Sequence, residues 1–216
     1  MKKLLVLVTA LMVVFAVTAQ ENKVQKELKS YMMLSLGPSF PVGDYASIDE
    51  NNENAGYAKT GFNIDLSYGY RFVPEFAIEI SGLYNFNGID KSILQGLDAK
   101  VDHFQIIGFM AGPTFMNNVS DKVAYNFRLK GGYARVNSPS LKYQDETLVT
   151  EDWADGFIWN FGLNAKFDVS KKAFFAINAD YYQTRPEFNV DALGETVRAV
   201  QHMAVANVNV GFGIRF

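Results

Sequence analysis

The chain has 216 residues, 49% hydrophobic and 14% aromatic, with a formal net charge of −3 and no cysteine. That balance excludes the basic footprint of a nucleic-acid-binding protein, and the missing thiols exclude disulfides, thiolate metal sites and an acylated N-terminal cysteine. The length suits one domain.

The N-terminus begins Met1-Lys2-Lys3, continues through an apolar stretch from Leu4 to Val17, and offers small residues at Val17-Thr18-Ala19. This pattern predicts a secretory signal peptide over residues 1–19, shorter than the roughly 20 apolar residues a membrane-spanning helix needs. Residues 20–29 are polar and charged and are expected to form a short periplasmic lead. Beyond them no apolar run is long enough for a transmembrane helix. The 18 Phe and 11 Tyr instead alternate with polar residues at a period of two, which is the mark of strands with one apolar and one polar face.

Eight such strands are predicted over residues 30–216. Ser30 to Val42 places Met32, Leu34, Leu36, Pro38 and Phe40 on one face and Met33, Ser35, Gly37 and Ser39 on the other. Thr60 to Phe72 sets Phe62, Ile64, Leu66, Tyr68, Tyr70 and Phe72 against Asn63, Asp65, Ser67, Gly69 and Arg71. A tight turn at Val73-Pro74-Glu75 leads into a third strand with Phe76, Ile78, Ile80, Tyr84 and Phe86 opposite Ala77, Glu79, Ser81 and Asn85. In the fourth, Val101 to Met116, Ile107, Phe109, Ala111 and Phe115 are expected to face out. Pro113 removes a ladder donor, and a bulge or bend is expected there. The fifth, Lys122 to Val136, opposes Val123, Tyr125, Phe127, Leu129 and Tyr133 to Asn126, Arg128, Lys130 and Gly132. The sixth is Gly156 to Phe167, the seventh Ala173 to Thr184 and the eighth Val200 to Phe216. Connections after even strands are short. Those after odd strands are long: 43–59, 87–100, 137–155 and 185–199. Short turns at one end and long loops at the other are the pattern of an eight-stranded antiparallel up-and-down transmembrane β-barrel, which leaves no strand edge unpaired in lipid.

The final residues sharpen this reading. Asn209, Gly211, Ile214 and Phe216 fit the polar-x-Gly-x-x-apolar-x-apolar ending of Gram-negative outer-membrane barrels, their assembly signal. Residues 36–45, Leu36-Gly37-Pro38-Ser39-Phe40-Pro41-Val42-Gly43-Asp44-Tyr45, also resemble the first strand and the start of the first loop of such proteins. The chain resembles the small eight-stranded outer-membrane β-barrel family of the OmpA/OmpX-like kind over residues 30–216. The resemblance implies a location in the cell outer membrane. It also implies contact with outer-membrane lipid and lipopolysaccharide, and with periplasmic chaperones and the barrel-assembly machinery during biogenesis. The family shares a fold rather than one activity, so it implies no cofactor and selects no ligand.

Charges on the inward face are Asp65, Arg71, Glu79, Arg128, Lys130, Lys166, Asp180 and Arg215. Eight strands leave room only for side chains, so these groups are expected to pair into a plug that seals the lumen. The alternative is a narrow passive pore lined by them. Aromatic girdles are expected at both interfaces: Tyr70, Phe72, Phe76, Phe115, Phe167, Phe175 and Phe216 at the periplasmic one, and Tyr84, Phe86, Tyr133, Phe157, Trp159 and Tyr181 at the outer one. The long loops lean acidic, with Asp49, Glu50 and Glu53 in the first and Asp145, Glu146, Glu151 and Asp152 in the third. No ordered ligand spacing for a cation accompanies them.

His103 and His202 at the outer strand ends are the groups that could act as a base near neutral pH. Neither has a serine two residues on, and Asp102 points away from His103, so a lipid-modifying barrel enzyme lacks a recognisable nucleophile–base pair. The expected role is non-enzymatic, either structural or an adhesion- or defence-like surface interaction with an extracellular ligand through mobile external loops. A soluble lipocalin-like barrel would require an apolar interior instead.

Overall fold

A computed structural model describes residues 29–94, 99–143, 146–192 and 195–216. The signal peptide read over 1–19, residues 20–28 of the lead and Asp145 lie outside the described residues.

Thirteen strands are present among the described residues: β1 (Ser30–Val42), β2 (Gly61–Val73), β3 (Phe76–Asn87), β4 (Ala99–Val101), β5 (Phe104–Asn118), β6 (Val123–Asn137), β7 (Leu141–Tyr143), β8 (Glu146–Val149), β9 (Trp153–Asp168), β10 (Ala173–Thr184), β11 (Glu187–Ala192), β12 (Glu195–Val200) and β13 (Met203–Arg215). Eight of them close a barrel in the order β1-β13-β10-β9-β6-β5-β3-β2. Every neighbouring pair is antiparallel. The closing seam joins β1 to β13, and at its end Phe216 and Ser30 exchange backbone hydrogen bonds of 2.9 and 3.0 Å.

Alternation fixes which face is which. Leu66, Leu163, Ile177 and Val210 point outward and are exposed, while their neighbours Asp65, Asn164, Asn178 and Asn209 are buried. A water-soluble sheet would invert this arrangement. Outward rings form a chain around the short-turn end, through Tyr70, Phe72, Phe76, Phe115, Phe127 and Phe161, with centroid spacings of 4.9–6.3 Å.

Three expectations change. Pro113 causes no bulge. The β5–β6 ladder skips Gly112 and Pro113, yet Ala111↔Gly131 and Thr114↔Arg128 keep one register on either side. The ladder loses pairing where the N–H is missing, and no residue is inserted. Gly37-Pro38 interrupts the β1–β13 ladder in the same way. Among the barrel ladders the register shift lies between Arg71 and Val73, at the tight turn into β3.

The strand expected from Val101 starts at Phe104, the one from Val200 starts at Met203, and the one from Gly156 reaches back to Trp153. Asp102, His103, Gln201 and His202 therefore sit in links between strands.

The stretches expected to be plain long loops also carry strands of their own. They contribute a second sheet in the order β12-β11-β8-β7-β4. The first loop is tied to the second by an Ala58↔Ile89 bridge and by a Lys59–Asp90 ion pair of 3.1 Å. The Ser92 backbone N–H, ahead of Lys59, holds the Asp90 carboxyl below its ordinary range.

Candidate functional site

The lumen is built in layers. Toward the short-turn end an apolar group of Tyr31, Met33, Ala77, Met116, Phe174 and Ala176 fills it. Toward the loop end a larger one, including Tyr45, Phe104, Ile106, Met110, Val136, Ile158, Tyr182, Phe188, Met203 and Val205, fills the side made by β5, β6, β9, β10 and β13. The expectation for the lumen was a plug of paired charges. The apolar layers were legible in Ile106, Met110, Val136, Ile158 and Val205, which all hold inward parity.

Charges meet between these layers. Arg128 on β6 donates from Nη2 to both carboxylate oxygens of Asp180 on β10 at 2.8 Å. Its Nη1 lies 3.6 Å from Glu79 on β3. Glu79 accepts from Lys130 at 3.1 Å and from the Tyr31 hydroxyl at 2.7 Å, and Lys130 also donates to Ser81 at 2.8 Å. Four of the eight inward charges thus form one cluster that crosses the barrel, with side chains 2% exposed or less. Burial strengthens such contacts and penalises any member left alone.

Arg128, Gly162 and Asp180 share one row across β6, β9 and β10. The two charged side chains close over the glycine, where a Cβ would stand 2.2 Å from Asp180 Oδ1.

Asp65, Lys166 and Arg215 make contacts of their own. Asp65 is buried and accepts from Ser67 at 2.5 Å, and its Oδ2 has no hydrogen-bond partner. Lys166 lies over the rings of Tyr31, at 3.8 Å, and Phe174, at 4.9 Å, with its Nζ 3.0 Å from the Asn126 side-chain amide. Arg215 pairs with Asp168 at 2.5 Å and covers Phe174 at 4.8 Å, close to the short-turn rim. Arg71 has inward parity and is half-buried near the same rim.

An amide ladder was missed. Asn126 lies 3.0 Å from Asn164, Asn164 contacts Asn178, and Asn178 donates to Ser35 on β1 at 3.0 Å. That last bond passes over Gly211 of β13, whose added Cβ would lie 2.6 Å from Ser35 Oγ. Of the four residues read as an assembly signal, Gly211 thus makes room inside, Asn209 is buried, and Ile214 and Phe216 face outward. The two histidines are not brought into a base site. His103 packs on Phe86 at 6.3 Å, and Asp102 accepts from Ser140 at 2.5 Å.

At the loop end the second sheet has two edges, β12 and β4. β11 and β12 form a six-pair hairpin from Glu187↔Val200 to Ala192↔Glu195, clamped by an Arg198–Glu187 ion pair. A single bridge, Ala192↔Val149, joins the hairpin to β8.

A closed eight-stranded barrel, apolar outside and charged at its centre, accompanies a family match. The model of the outer membrane protein beta-barrel domain matches residues 7–216. The chain belongs to that family. Its location follows as the outer membrane. Among solved structures it is similar to Ail, the attachment invasion locus protein of Yersinia pestis, at 19% identity and TM-score 0.52, covering 88% of this chain and 99% of that one. It is also similar to Neisserial surface protein A, at 12% identity and TM-score 0.56, covering 87% and 97%. A major outer membrane protein of Thermus thermophilus gives 9% and 0.50, covering 87% and 99%. At these identities the likeness is one of fold. No curated protein sequence matches the chain.

Proposed function

We propose that this outer-membrane barrel acts as a sealed scaffold that presents its loop-end sheet to an extracellular partner. The signal peptide exports the chain, the short turns face the periplasm, and the second sheet stands outside the cell. Outer-membrane lipid, lipopolysaccharide, the periplasmic chaperones and the assembly machinery are its partners in the envelope. The role is non-enzymatic.

The observation that carries this reading is the place of β12 as a terminal strand of the second sheet among the described residues. The edge of a terminal strand is normally protected because it templates pairing with another chain. Here it sits at the end of a hairpin held to the rest of its sheet by one bridge, so an added strand is the chemistry it offers. The lumen cluster and the apolar layers on either side of it support a sealed scaffold over a pore.

Charge narrows the partner. One structure of Ail holds the heparin analogue sucrose octasulfate. The loops of this chain carry Asp49, Glu50, Glu53, Glu151, Asp152 and Glu187, which disfavour a polyanion and favour an extended polypeptide bearing lysine or arginine.

Replacing residues 187–200 by a short turn tests this. Cells displaying the intact protein are expected to bind an alternating Lys-Val peptide, and cells displaying the shortened protein are expected to lose that binding while the barrel still folds. Equal binding by both would contradict the proposal.

A further inference from the structure

The outward face of the barrel carries a depression at residues the seal and the loop sheet do not use. Two adjacent rows of the wall form it. The upper row is Ile64, Tyr84, Ile107 and Arg135 across β2, β3, β5 and β6, and the lower row is Leu66, Gly82, Phe109 and Tyr133. Gly82 leaves the hole in the lower row: a Cβ built on it meets nothing within 4 Å. The result is a groove of about 530 Å³ with apolar walls and one cation, Arg135, on its loop-end side.

An arginine facing hydrocarbon is strongly disfavoured, and the penalty fades only near the headgroups. Arg135 therefore marks headgroup depth at the loop end, and the groove runs from it toward mid-membrane. Trp153 stacks on its guanidinium at 5.4 Å, a contact through the flat face that does not use a guanidinium's in-plane donors. Asp155 stands opposite Arg135 across the β6–β9 ladder. A guanidinium has five donors, enough for that carboxylate and a phosphate together.

We propose that this groove seats one acyl chain of a phosphorylated outer-leaflet glycolipid, lipid A, with its phosphate on Arg135. The groove supplies apolar contact along the chain, the glycine supplies the depth, and the arginine selects an anionic headgroup through charge-assisted hydrogen bonds. The assignment to the outer leaflet rests on the orientation proposed above, with the loop sheet outside.

The test places the full chain in nanodiscs containing lipid A or phosphatidylethanolamine and measures retained lipid by native mass spectrometry, for the wild type, Gly82→Leu and Arg135→Gln. The heat-dependent gel shift confirms that each variant is folded, and Gly82→Leu enters open space. The wild type is expected to retain one lipid A. Gly82→Leu is expected to retain it about tenfold less well, from about two methylenes displaced. Arg135→Gln is expected to lose about as much through the missing charge-assisted bond. Phosphatidylethanolamine is expected to be held poorly by all three. Undiminished lipid A retention by Gly82→Leu would overturn the proposal. So would equal retention of the two lipids by the wild type, or a dimer lost in Gly82→Leu with lipid unchanged, which would give the groove to a second copy. An absent gel shift in the wild type would instead bring down the barrel reading itself.

Discussion

Gly162→Leu is expected to destabilise the barrel by about 3–5 kcal/mol, the cost of breaking a buried ion pair. Gly162 lies between Arg128 and Asp180 in one row. Even a methyl group there would stand 2.2 Å from Asp180 Oδ1 and 3.1 Å from Arg128 Nε. The carboxylate would have to leave its contact with Arg128, its ion-pair partner among the described residues. Urea unfolding in lipid vesicles, followed by the fluorescence of Trp153 and Trp159, measures the loss. Gly82→Leu is the control: the same change on the outward face puts its Cβ where no atom lies within 4 Å and is expected to leave the midpoint where it was. Equal midpoints for wild type and Gly162→Leu would show that the cluster is not what holds the lumen.

Glu79→Ala is the second large effect, again about 3–5 kcal/mol because a buried charge loses its counter-charge. Glu79 accepts from Lys130 and from Tyr31 and faces Arg128. Its removal leaves the Lys130 ammonium with Ser81 and no carboxylate. The double variant Glu79→Leu with Lys130→Met removes both charges and is expected to recover most of the loss, since an apolar pair of similar volume replaces a buried ion pair at little cost. The same unfolding measurement decides it. A double variant as unstable as the sum of its single changes would mean that the two charges act independently.

The barrel was legible because each strand meets two different solvents. Lipid outside and a packed polar or ionic lumen inside force Phe62, Ile64 and Leu66 to alternate with Asn63, Asp65 and Ser67, and that constraint runs the whole length of β2. It stops where the wall stops. Glu187 to Val200 faces no hydrocarbon, so nothing imposes a period of two, and β11 and β12 were read as loop. The link at Asp102-His103 likewise broke a strand that composition alone carried back to Val101.

Within the lumen, parity identified which charges point inward but not which of them meet. Pairing across the barrel depends on row alignment, which single strands do not reveal. Arg128 reaches Asp180 because Gly162 separates them, whereas Lys166 rests on Tyr31 and Phe174. The apolar layers follow the same rule: parity places Ile106 and Val136 on the inward face, but only closure shows that they pack together in one interior.

The most direct test of the account is to express the full chain in a Gram-negative host, separate the envelope, and run the outer-membrane fraction on a detergent gel with and without boiling. A closed antiparallel ladder resists unfolding until it is heated. The account predicts a band in that fraction whose mobility changes on boiling. A soluble periplasmic protein whose mobility is the same either way would contradict it.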